Sequence, residues 1–233
     1  SVRTNEPFNE NILSFLIELG KEIKKKKISF KYPELIALSF FCREANLKLL
    51  KEKFSSNNFR VGKGIIFHIT PTNIPINFAY SLIFGLLAGN INIVRIPSKN
   101  FNQVKIFHEC LNKVCKKKKF YKIKKSFFLI KYERNDEITK LISSKSDVRI
   151  IWGGDDTVRH IKKIPIPEKS LDIAFPDRYS FCIININELK TMTQNNIKQL
   201  AYKFFNDTYS VDQNACSSPH MVIWIGKYHK DKI

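Results

Sequence analysis

Through the first sixty residues the hydrophobic positions recur at helical spacing; beyond them they gather into short apolar runs that alternate with helices. In "FNENILSFLIELGKEI", Ile12, Leu16, Leu19 and Ile23 fall on one helical face. The lysines that follow suit a helix C-terminus, where the macrodipole favours cations. "YPELIALSFFCREANLKLLKEKF" predicts one helix with Pro33 and Glu34 in its first turn and Leu35, Leu38, Cys42, Ala45 and Leu49 on one stripe. Cys42 is then expected in the core.

The next segment has a different grammar. "GIIFHI" is a nearly continuous apolar run, as in a strand covered on both faces. After a Pro/Asn turn, "INFAYSLIFGLLAG" has helix length and stops at Gly89–Asn90, and "INIVRI" predicts a second strand. This is a β-α-β unit, the building block of parallel, doubly wound sheets. "NQVKIFHECLNKVCKKKK" predicts a helix with Val104, Phe107, Cys110 or Leu111, and Val114 inward. "SFFLIKY" reads as a strand, "DEITKLISS" as a short helix, and "VRIIWGG" as a strand entering a glycine turn. "DDTVRHIKKI" has the aspartates of a helix start, and "SFCIININ" predicts a strand with Cys182 in the core. The stripe Ile197, Leu200, Ala201, Phe204 and Phe205 marks a helix leading into the decapeptide "VDQNACSSPH". The expected fold is α/β, a Rossmann-type doubly wound parallel sheet. It divides into an N-terminal helical segment (1–60), an α/β segment whose turns suit a nucleotide (61–205) and a closing segment that holds the cysteine loop (206–233).

A chain of 233 residues, 43% hydrophobic, can bury a globular core. Its net charge of +19 raises nucleic-acid binding as an alternative. The excess is nearly all lysine, whereas base readout favours the arginine fork, and the "KKKK" runs at 24–27 and 116–119 suit solvated helix ends. The five cysteines, an odd number, are read as free thiols in a reducing cytoplasm. The longest apolar stretch is too short to span a bilayer and is interrupted by Asn77 and Ser81, so no membrane span is expected.

No GxGxxG follows a strand, and no GxxxxGK[ST] phosphate loop is present. Cys110 and Cys115 stand wider apart than a CxxC pair and lack a second pair, and the five histidines have no ligand spacing, so no metal is expected. Pattern alone therefore reaches an α/β domain with turns suited to a nucleotide. Cys216 alone is more simply a packed thiol than a nucleophile.

Three segments in order, "FHITPTNIPINFAYSLIFGLLAGNINIVRIPSKN", "RIIWGGDDTVRHIKK" and "FNDTYSVDQNACSSPH", carry the reading further. Together they resemble the acyl-CoA reductase family that includes the fatty acyl reductase of bacterial luminescence operons, a branch of the aldehyde dehydrogenase superfamily. The resemblance implies that Cys216 accepts the acyl group as a thioester and that Asn73, in "PTNIP", helps hold the oxyanion. Without the resemblance, Asn73 reads as an Asx turn between two prolines.

The implied cofactor contacts are Thr70 and Pro71, the segment Arg95, Pro97, Ser98 and Lys99, and the turn Gly153–Gly154 before a helix N-terminus. Related dehydrogenases carry a ribose-binding glutamate where Lys99 stands, and a cation there implies NADPH over NADH; the alternative is one more solvated lysine. Asp155 and Asp156 oppose a phosphate contact at the glycine turn. Where hydrolytic relatives place a water-activating glutamate, this chain has Ala174 or Phe175, which favours reduction over hydrolysis, with Asp177 left for a polar role. His220 reads as a packing histidine before a thiolate partner. The implied substrate is acyl-CoA or an acylated partner protein, and the implied complete enzyme is an oligomer. The family fold also has a second α/β domain after the cysteine, which a chain ending at Ile233 would largely lack. A non-catalytic nucleotide-binding remnant is the remaining alternative.

Overall fold

The computed structural model describes residues 4–54, 58–71, 75–209, 213 and 215–227. The chain forms two compact units, Ser1–Pro176 and Asp177–Ile233.

The first unit begins with α1 (Glu10–Lys25), whose N-terminus is capped by the Asn9 side chain and whose last turn carries Lys24 and Lys25. Ile12, Leu16, Leu19 and Ile23 are all buried, as their spacing predicts. The single helix expected over residues 32–54 is instead two, α2 (Pro33–Phe41) and α3 (Glu44–Phe54). The Cys42 N–H still reaches Leu38 O, but the Arg43 N–H turns back to Phe40 O at 3.2 Å, which tightens the turn and ends the helix. The break shifts the phase of the apolar stripe. Leu35, Leu38 and Cys42 are buried as expected, but Leu47 takes the inward place, and Ala45 and Leu49 are exposed. Gly20 lets α1 approach this corner, because a Cβ on it would stand 2.8 Å from Cys42 Cβ.

The sheet follows. Its elements are β1 (Ile65–Ile69), α4 (Asn77–Leu87), β2 (Ile91–Arg95), α5 (Asn102–Cys115), β3 (Phe127–Ile130), α6 (Asp136–Ser143), β4 (Val148–Gly153), α7 (Asp155–Lys162) and β5 (Leu171–Pro176). The five strands are parallel in the order β3-β2-β1-β4-β5. The chain therefore winds outward from β1 to β3, then returns to the other side of β1. On one face, α1, α4 and α5 pack Leu16, Phe78, Leu82, Phe107 and Val94 together. On the other, Phe67, Ile69 and Ile151 meet Val158 and Ile161 of α7. The strand β5 was not expected from the sequence. Its inward row holds Asp172, a residue that strands disfavour, and the outward row of Leu171, Ile173 and Phe175 is exposed.

Asp172 is inward because Arg149 lies across from it on β4, 1% exposed. The pair is bidentate: Nε donates to Oδ1 at 2.7 Å and Nη2 to Oδ2 at 2.8 Å. The remaining nitrogen, Nη1, donates to Ile164 O and Ser143 Oγ. His68, on the central strand, is fully buried, and desolvation pushes its pKa down from 6.5 to about 4.

In the second unit, β6 (Ser180–Asn185) and β7 (Pro219–Ile225) form a parallel pair joined through α8 (Ile186–Thr191) and α9 (Gln194–Tyr209). Cys182 is half-buried and not a core residue, because a ribbon of two strands covers little of either face and leaves Phe181 and Ile183 exposed. The inward stripe of α9 is Ile197, Leu200, Phe204 and Thr208, with Ala201 and Phe205 outside it. The second unit holds residues 177–205 together with the cysteine loop.

The buried ion pair and the buried histidine each generate a prediction. Asp172→Ala leaves the Arg149 guanidinium buried without its partner and is expected to cost about 3–5 kcal/mol in urea unfolding, most of it recovered in Arg149→Met/Asp172→Leu. A histidine whose folded pKa lies below its unfolded value loses stability as pH falls, because only the unfolded chain takes the proton. Stability is therefore expected to drop between pH 6.5 and about 4, and urea midpoints of His68→Gln should depend less on pH in that window.

Candidate active site

Because the strands are parallel and in register, β1, β2 and β4 end at the same edge of the sheet, with Ile69 opposite both Arg95 and Ile151. Three of the expected contact segments lie there: Thr70–Pro71 after β1, Ile96–Lys99 after β2, and Gly153–Gly154 at the end of β4. The winding reverses between β1 and β4, and ligands of open α/β sheets bind in the crevice outside the strand ends at such a point.

Each segment has its own local geometry. Thr70 is buried, and its hydroxyl donates to Arg95 O at 2.8 Å, tying the ends of β1 and β2 together. The Arg95 guanidinium lies 4.6 Å from the Tyr132 ring centroid and donates to Tyr132 O at 3.4 Å, so it is held along the protein surface. Pro97 is buried, Ser98 half-buried and Lys99 exposed. Lys99 lines a cavity of about 350 Å³ with Lys105, Lys131, Phe78, Val104 and Leu129, and among the described residues no carboxylate borders it. The N-terminus of α5 opens beside this cavity, with neither a side-chain cap nor an acid in its first turn.

Gly154 is the N-cap residue of α7, has no side chain to cap the helix, and has no atom within 4 Å of where a Cβ would stand. The first amides of α7 are thus approachable. Asp155 and Asp156 occupy the first turn, and Asp156 pairs with Arg159. Gly153 takes φ +156°, where a Cβ would stand 3.0 Å from Thr157 Cγ2. Just before it, the Trp152 indole stacks on Phe175 at 4.3 Å and 16°. This aromatic pair was not singled out from the sequence, since Phe175 belongs to the unexpected strand. Ala174 packs against the Ile151 cluster, so both positions compared with the hydrolytic glutamate are apolar and engaged in packing.

In the second unit, Cys216 is exposed in the loop between α9 and β7. The loop is pinned beside it: Ser180 Oγ donates to Cys216 O at 2.6 Å, and the Ser218 N–H donates to Ala215 O at 2.9 Å. Gln213, at φ +57°, closes the end of α9 through its N–H to Thr208 O at 3.2 Å. The other thiols differ in setting. Burial pushes Cys42 up to about 12 and Cys110 up to about 11, and raises Cys115 as well. The His220 ring stacks on Tyr179 at 5.3 Å. Asp177 is exposed and accepts from the Arg178 N–H. Asn73 lies outside the described residues. Among the described residues, no three His, Cys, Asp or Glu side chains gather as metal ligands, and no helix is long and apolar enough to cross a membrane.

Solved structures with this fold include proline utilization A from Bradyrhizobium japonicum (TM-score 0.67, 14% identity), covering 95% of this chain and 24% of that one. A lactaldehyde dehydrogenase matches at TM-score 0.66 and 13% identity, covering 92% of this chain and 48% of its own. An aldehyde dehydrogenase from Bartonella henselae matches at TM-score 0.59 and 16% identity, with 93% and 47% covered. The chain thus spans between about a quarter and about half of these proteins, and the likeness establishes an aldehyde-dehydrogenase-like α/β fold. No curated protein matches in sequence. Residues 43–230 match the acyl-CoA reductase (LuxC) family, a span that holds both the sheet and the Cys216 loop, and the chain belongs to that family.

Proposed function

We propose that this chain carries the nucleophile and the coenzyme-binding edge of a reductase that converts a fatty acyl thioester, on coenzyme A or on an acylated partner protein, to the aldehyde with NADPH. The observation that carries the reading is the exposed Cys216 thiol in a pinned loop, within the span that matches the reductase family. Its thiolate attacks the thioester carbonyl; the C–S bond to the incoming carrier breaks, the carrier leaves as its thiol, and the acyl group stays on Sγ. The Cys216 N–H and, from the sequence comparison, the Asn73 amide stabilise the negative oxygen as it forms. When bound, a nicotinamide coenzyme would supply the hydride to the acyl carbon; cleavage of the C–Sγ bond then releases the aldehyde and returns the Cys216 thiolate. The apolar residues Ala174 and Phe175 offer no carboxylate to activate water, which fits a thioester that persists until it is reduced.

Support for NADPH comes from Lys99. It borders a cavity with two further lysines and, among the described residues, no acid, a setting that favours an added ribose phosphate. Thr70, Pro71, Pro97 and Ser98 shape the same strand ends, Arg95 adds charge behind them, and the Gly153–Gly154 turn presents the first amides of α7 at that edge, with the Asp156 carboxylate paired to Arg159. The free thiols fit a reducing compartment.

Incubation with a radiolabelled long-chain acyl-CoA is expected to leave hydroxylamine-sensitive label on the wild-type chain and none on Cys216→Ala, with NADPH discharging the label as aldehyde. Absence of label on both proteins would overturn the reading. Lys99→Glu is expected to reduce the preference for NADPH over NADH by about tenfold, equivalent to about 1.4 kcal/mol, as measured by titration of each coenzyme.

A further inference from the structure

The polar groups buried under the centre of the sheet form one directed chain that ends at the coenzyme edge. His68 is fully buried and, with its pKa pushed far below the ordinary range, neutral. Its neighbours decide which ring nitrogen carries the hydrogen. Asn92 Nδ2 donates to Asn90 O at 2.9 Å and to Ser126 O at 3.3 Å, which leaves Asn92 Oδ1 as the atom facing His68 Nε2 at 3.0 Å. Nε2 therefore donates. Nδ1 must then accept, and the Ser81 hydroxyl donates to it at 2.8 Å. With its proton committed, Ser81 Oγ faces Trp152 Nε1 at 3.2 Å as an acceptor. Trp152 thus donates to Ser81, Ser81 to His68, His68 to Asn92, and Asn92 to two backbone carbonyls. Gly85 leaves the room this needs, since a Cβ there would stand 1.9 Å from Asn92 Oδ1 and 3.1 Å from His68 Cε1.

Four polar side chains are an expensive way to fill a core that apolar residues of the same size would fill. What the chain adds is direction. It grips the indole N–H while the Phe175 ring holds the indole face, so Trp152 is restrained on two sides. Trp152 is the residue immediately before Gly153, at the end of β4 that faces the reversal point beside β1. We infer that the Ser81–His68–Asn92 chain holds the Trp152 indole so that the Gly153–Gly154 turn stands preformed at the nicotinamide nucleotide crevice. Ser81 and His68 are positioning residues that act through Trp152. The inference rests on the reading that a nicotinamide nucleotide occupies that crevice.

The test uses the full chain with Trp224→Phe, which leaves Trp152 as the one indole of the two. Trp152 emission and NADPH affinity are measured for this background and with Ser81→Ala or Ser81→Thr. Ser81→Ala is expected to shift the emission and weaken NADPH about five- to tenfold, as loss of one or two hydrogen bonds would. Ser81→Thr, which keeps the hydroxyl, is expected to restore both. An unchanged emission in Ser81→Ala would show that the serine does not hold the indole. A shifted emission with unchanged NADPH affinity would reduce the chain to a packing feature and overturn the positioning role. If the background protein binds neither NADPH nor NADH, the coenzyme reading itself fails, and that arm separates this failure from the other two. Should Ser81→Ala not fold, Trp152→Phe deletes the indole N–H while keeping a ring on Phe175. The same loss of NADPH affinity is then expected, and unaltered affinity would sink the inference.

Discussion

Every strand of the larger sheet runs in the same direction, and the rest of the first unit depends on that constraint. Parallel strands need crossover helices, so the sheet is covered by α1, α4 and α5 on one face and by α6 and α7 on the other. The same direction brings all the strand-to-helix turns that follow β1, β2 and β4 to one edge. Segments far apart in sequence, Thr70, Lys99 and Gly154, are thereby brought to one edge.

The middle of a sheet covered on both faces leaves no water for the polar groups it contains, and this one contains several. Arg149 and Asp172 answer the problem with a bidentate ion pair and further acceptors for the remaining guanidinium nitrogen. His68 answers it by remaining neutral between a hydroxyl donor and an amide oxygen. Both devices join neighbouring strands side to side: Arg149 links β4 to β5, and the histidine network links β1, β2, α4 and β4. The polar groups under this sheet therefore specify which strands are adjacent, while the apolar layers on either face supply most of the burial.

The cysteine loop follows a different logic. Among the described residues its unit has one strand pair, whose strands are half-exposed. Ser180 and the turn at Ser218 fix the backbone on either side of the thiol while the thiol itself faces outward. Among the described cysteines, the three in the helical core are pushed away from thiolate formation by burial, whereas Cys216 lies exposed in its loop.

Much of this was legible along the chain because it depends on local periodicity. The helical stripes of α1 and α5, the apolar runs of β1 and β2, and the stop at Gly89 are properties of a few consecutive residues, and "RIPSK" and "DQNACSSPH" lie within the span that matches the family. The break at Cys42 depends on a carbonyl, Phe40 O, turning to Arg43, and no period in the sequence encodes that choice. Edge strand β5 was hidden because its inward aspartate makes sense only with Arg149 opposite it, 23 residues away. Cys182 looked like a core residue because its strand is apolar, yet its burial depends on how many neighbours the strand acquires. Ser81, His68, Asn92 and Trp152 are ordinary residues at unrelated spacings. Only the tertiary fold decides that their hydrogen bonds join head to tail, because a buried polar atom's partner is set by what the sheet brings beside it.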